Sequence, residues 1–69
     1  MKSSNKKYVY YVVSECVYEN NRSVLTYSIT RNKQIDSLED IIDVANYIKE
    51  DANLPKVPLI TFYNLLRIE

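Results

Sequence analysis

Few side chains in this sequence could do chemistry, and their types decide more than their number. There is no histidine and no glycine. Without histidine, neither a Ser–His nor a Cys–His nucleophile pair can be assembled. Without glycine, the chain lacks the loops that cradle phosphates and dinucleotides. Cys16 is the lone thiol. It cannot form an internal disulfide, and a zinc site needs more Cys or His than this chain holds. On a strand it is expected as a small packed side chain rather than a reactive nucleophile. Asp36, Glu39, Asp40 and Asp43 form an acidic cluster. Their spacing is not that of a calcium loop, and acids early in a helix complement its dipole. No catalytic residue, metal ligand or cofactor site is therefore assigned, and the chain is expected not to be an enzyme.

The remaining chemistry is recognition. Seven tyrosines stand against one phenylalanine and no tryptophan, and tyrosine offers apolar area with a polar tip, which suits interfaces. Lys7–Tyr18, rich in Tyr and Val, predicts a strand. Its two rows, Val9-Tyr11-Val13-Glu15-Val17 and Tyr8-Tyr10-Val12-Ser14-Cys16-Tyr18, are both largely apolar, as in a central strand. Glu19-Asn20-Asn21-Arg22 predicts a tight turn, because Asn tolerates positive φ. Ser23–Arg31 predicts a second strand with an apolar row (Leu25, Tyr27, Ile29) and a polar one (Val24, Thr26, Ser28, Thr30).

Asn32–Asp36 reads as a polar connection, Ser37 as the N-cap of a helix and Asp40 as its reciprocal capping partner. Leu38, Ile41, Ile42, Ala45 and Ile48 recur at helical spacing, with Val44 widening the stripe. The helix should end by Asp51–Asn53, with Asn53 as a left-handed cap and Pro55 blocking continuation. Val57–Ile68 predicts a third strand, with Pro58 confined to its start or an edge. The expected fold is α+β, a β-β-α-β chain. A right-handed crossover gives a three-stranded antiparallel sheet of order 2-1-3 with one helix on one face. Residues 1–69 read as a single domain, residues 1–6 as a frayed terminus.

Area scaling for 8.1 kDa gives about 11,700 Å² unfolded and about 4,500 Å² folded, a small core that favours help from self-association or a partner. Nine basic and nine acidic residues cancel, unlike the basic excess of a dedicated nucleic-acid binder. The longest apolar run, Tyr8–Val13, is too short to span a bilayer, and no signal-peptide pattern follows the basic start. With a lone thiol, these features give a cytoplasmic expectation.

One helix can shield one sheet face. The expected core face carries Val9, Tyr11, Val13, Leu25, Tyr27, Ile29, Ile60, Phe62 and Leu66 against Leu38, Ile41, Ala45 and Ile48. The expected open face is then the interface: Tyr8, Tyr10, Val12, Cys16, Tyr18, Thr26, Thr61, Tyr63 and Leu65. The expected partner is a protein, a homodimer being one form, with no small-molecule substrate and no membrane. The alternative is single-stranded nucleic acid stacking on the same rings, with Lys2, Lys6, Lys7, Arg22, Arg31, Lys33 and Lys56 contacting phosphate. The Lys/Arg-Gly-aromatic pattern of RNA-recognition strands is absent, so nucleic acid ranks below protein.

The run Lys7-Tyr8-Val9-Tyr10-Tyr11-Val12-Val13-Ser14, then Ile35-Asp36-Ser37-Leu38-Glu39-Asp40-Ile41, then Val57-Pro58-Leu59-Ile60-Thr61-Phe62-Tyr63-Asn64-Leu65-Leu66, has a familiar layout. It resembles small uncharacterised proteins of phages and mobile elements in low-GC Gram-positive bacteria. The resemblance spans nearly the whole chain and carries no active site. It implies a phage accessory protein that binds and modulates a host protein, for example one inhibiting a defence system.

Overall fold

The computed structural model describes residues 6–69. The expected frayed terminus, apart from Lys6, lies outside the described residues. The element order is β1 (Tyr8–Tyr18), β2 (Asn21–Arg31), α1 (Leu38–Ala52) and β3 (Leu59–Ile68). The strands form one antiparallel sheet of order β2-β1-β3. The fold is therefore the α+β, β-β-α-β arrangement with the central strand first in sequence. The third strand starts two residues later than its sequence pattern suggests, with Pro58 buried just ahead of it.

The hairpin turn is tighter than the expected four residues. Tyr18 pairs with Asn21, leaving only Glu19 and Asn20 as the loop, with φ of 48° and 65°. Positive φ at both positions is what a two-residue type I′ turn demands, and its twist matches that of the strands. The turn fixes the parity of the sheet. Even-numbered β1 residues stand opposite odd-numbered β2 residues, as in Tyr10 with Ile29 and Val12 with Tyr27. Directly opposite residues share a face.

The core therefore corrects the expected faces. Tyr10, Val12, Ile29, Ile35, Val44 and Ile48 form the buried cluster, with Tyr8, Tyr27, Ile41, Leu54 and Ile60 packed against it. The helix covers the Tyr8-Tyr10-Val12 row, not the Val9-Tyr11-Val13 row. An even-length loop, of two residues or four, permits only this arrangement. The expected one needs an odd loop, and a slip of one residue turns every side chain over. On the helix, Val44, Ala45 and Ile48 face inward, whereas Leu38, expected in the core, is 72% exposed. Full burial of side chains such as Val12 and Ile48 contributes about 1.5–3 kcal/mol each.

Local chemistry sets both helix ends. The Ser37 hydroxyl accepts from the Asp40 N–H at 3.3 Å and donates to the Asp40 carboxylate at 3.0 Å. Asn53 caps the other end in the left-handed region, and its N–H donates to Glu50. Fifteen residues make a helix about 22 Å long, against about 36 Å for each eleven-residue hairpin strand. The helix shields only part of the sheet, and the molecule extends 52 × 19 × 17 Å.

Candidate interaction surface

Three polar anchors tie the helix and its lead-in to β1 and β2. The Tyr10 hydroxyl, buried under the helix layer, accepts from the Ile35 N–H at 2.9 Å. At the helix start, the Asp40 carboxylate is 2% exposed. It receives Arg31 at 2.9 Å, Lys33 at 3.2 Å and the Asp36 N–H at 3.1 Å. The Asp36 N–H, then Lys33 and Ser37, hold its carboxyl well below the usual carboxylate range despite burial. At the helix end, the Tyr27 hydroxyl donates to Asp51 at 2.9 Å, and its ring meets Tyr47 edge-on at 6.4 Å. Burial, then the Asp51 carboxylate, raises the Tyr27 phenol above its ordinary value.

These groups are committed to structure. A cleft of about 490 Å³ beside Arg31, Lys33 and Asp40 has two of its cations already paired with Asp40. Among the described residues, no three His, Cys, Asp or Glu side chains gather to hold a metal ion. No helix of the described residues is long and apolar enough to cross a membrane.

The sequence-predicted interface residues do not share one open face. Tyr10, Val12 and Cys16 are buried, at 3%, 0% and 4% exposure, and Tyr8 is half-buried on the helix side. Tyr18 is exposed at the hairpin end. Thr26, opposite Val13, lies on the uncovered face. Thr61 sits at a register shift, its hydroxyl donating to the Val13 carbonyl at 3.2 Å. Tyr63 and Leu65 are exposed on β3, with the Tyr63 ring edge-on to Tyr10 at 6.1 Å.

Two of the residues that stay open, Tyr11 and Phe62, were expected inside. On the face away from the helix, Tyr11, Val17, Val24, Leu59 and Phe62 are 39–65% exposed. Tyr11 and Phe62 meet edge-on at 6.3 Å, so this apolar surface runs continuously from β1 onto β3. The second exposed feature is β3 itself. Apart from Ile60, each of its residues is exposed. The signal that could have located the first of these features is the even length of the hairpin loop.

No protein-family model, curated protein or solved structure matches this chain.

Proposed function

We propose that this chain is a non-enzymatic protein-binding module that engages its partner through the sheet surface the helix leaves uncovered. The observation that carries this reading is the exposed apolar surface of Tyr11 and Phe62, which meet edge-on, with Val24 and Leu59 exposed on the same face. A soluble domain seldom leaves such a patch without a use. The residues that could have done chemistry are instead engaged in packing and capping: Asp40 in its ion pairs, Tyr10 with Ile35 and Cys16 by burial. A cytoplasmic setting and a phage or mobile-element accessory role, in which the module modulates a host protein such as a defence component, belong to this reading. They rest on the lone thiol and on the sequence resemblance.

The test is capture from a low-GC Gram-positive lysate with the wild type and with Phe62→Asp, both checked as folded by circular dichroism. The reading predicts a partner held stoichiometrically by the wild type and lost with the variant. Equal capture by both would contradict it. So would salt-dependent binding of mixed single-stranded oligonucleotides, which would favour nucleic acid as the ligand.

A further inference from the structure

We propose that two copies of this chain join edge to edge through β3, antiparallel, about a two-fold axis at Asn64, making one continuous six-stranded sheet. This rests on the protein-binding reading and names a second copy as one of the partners.

The first support is the state of the two sheet edges. Edge strands present unpaired N–H and C=O groups, and proteins usually blunt them with charge, proline or bulges. The β2 edge has Arg22 and Arg31 near its ends and a polar Thr26-Ser28-Thr30 row. Within Leu59–Ile68 the only charge is Arg67, and the register shifts at Thr61 and Leu66 leave Phe62–Leu65 as the regular stretch of this edge.

The second support is the direction of the backbone groups. Tyr18 and Asn21 flank a two-residue turn, so even-numbered β1 residues bond toward β2 and odd-numbered ones toward β3. Lys7 and Glu69 exchange both backbone bonds, at 2.9 and 2.7 Å, as this alternation requires. Asn64 opposite Tyr11, and Phe62 opposite Val13, therefore turn their backbone groups inward. Tyr63 and Leu65 turn theirs outward, to an edge that no other strand of the described residues occupies.

The third support selects the occupant. The segment Ile60–Ile68 is a palindrome in polarity centred on Asn64. In a two-fold pair about that residue, Tyr63 meets Leu65 of the second copy, and the outward backbone groups of these two bond to each other. By sequence order Phe62 then falls opposite Leu66 and Ile60 opposite Ile68, across the register shifts at Thr61 and Leu66. The polar residues also meet their own kind: Thr61 faces Arg67, and the Asn64 amides face each other across the axis. Centring on Tyr63 instead sets Phe62 against Asn64 and Thr61 against Leu65, so the polarity clashes at the two steps nearest the axis. An unrelated strand would have no reason to match this mirror pattern, whereas a second copy matches it by construction.

The available area fits. The six large apolar side chains on β3 other than Ile60 are 37–65% exposed. With side chains of about 150–250 Å² for the aromatics and less for the aliphatics, these expose on the order of 500 Å² per copy. A pair then has at most about 1,000 Å² to bury, of which edge contact covers a part, as in a weak, concentration-dependent interface. The net charge of zero sets no long-range repulsion against pairing.

The test uses the full chain in light scattering over a concentration series. Wild type is expected to rise to twice 8.1 kDa. Asn64 is exposed, so Asn64→Asp and Asn64→Lys should keep the fold, checked by thermal melting. Each places like charges face to face and should weaken self-association at least about tenfold. Mixing the two variants should restore a heterodimer. A wild type that stays monomeric to millimolar concentration overturns the proposal, as does an Asn64→Asp chain that associates like wild type. Association lost in Phe62→Asp and Tyr11→Ser but kept in Asn64→Asp would place the contact on the uncovered face. That outcome sinks the edge pairing and leaves the protein-binding reading standing.

Discussion

Replacing Tyr10 by Phe removes one oxygen and tests which row of β1 the helix covers. In the structure that oxygen is the acceptor for the Ile35 N–H, at 2.9 Å in a buried setting. The aromatic ring, its packing against Tyr63 and the backbone are kept. The loss is then the desolvation of one orphaned N–H, about 1–3 kcal/mol. For 69 residues, a net stability of about 3–10 kcal/mol is expected from the usual per-residue range. The variant thus removes a large fraction, equivalent to a fall of about 4–24 °C in melting midpoint. Tyr11→Phe is the internal control. Tyr11 is 39% exposed and on the other face, and its change should stay within about 0.5 kcal/mol. Urea titration of both variants gives the difference from the midpoints, provided the slopes match wild type. Equal losses, or a larger loss at Tyr11, would mean that the Val9-Tyr11-Val13 row lies under the helix and that the assignment of faces is wrong.

Two further perturbations read other parts of the fold. Glu19 occupies the left-handed region, which costs an L-residue with a long side chain about 1–2 kcal/mol. Replacing Glu19-Asn20 by Asn-Gly should therefore stabilise the domain by about 1 kcal/mol in urea titration, and a loss would argue against a two-residue turn. Asp40 has its carboxyl pKa lowered in the folded state, chiefly by the Asp36 N–H, from an unfolded value near 3.8. A depressed pKa means that the folded state holds fewer protons, so this stabilisation is present above pH 3.8. It is lost as pH falls below that value toward the folded pKa. Asp40→Asn should flatten the acid limb of the stability profile, and an unchanged slope below pH 3.8 would assign acid sensitivity to other carboxyls.

The element order, both helix caps and the sheet order were legible because each has a local cause. Ser37 precedes an apolar stripe at helical spacing, Asn53 precedes a proline by two residues, and a crossover from β2 must pass β1. The faces were harder. Both rows of β1 are rich in Tyr and Val, so apolar content cannot choose between them. The choice lies in loop parity, which Glu19-Asn20-Asn21-Arg22 does carry, since two and four residues give the same pairing. Tyr10, Val12 and Cys16 consequently lie in the core, and Tyr11 and Phe62 on the surface. Ile35 was hidden for a different reason. It is a single apolar residue in a polar connection, and only the folded position of Tyr10 gives it a partner. The exposure of β3 could not be read at all, because it depends on how much of a longer sheet one helix shields.

Backbone amide exchange on β3 bears most directly on the association surface. With copies paired, the Tyr63 and Leu65 amides are protected like those of Phe62 and Asn64 at high concentration. They lose that protection on dilution while the inward pair keeps it. Rapid exchange at Tyr63 and Leu65 at every concentration, beside protected Phe62 and Asn64, would leave the edge bare and contradict the account.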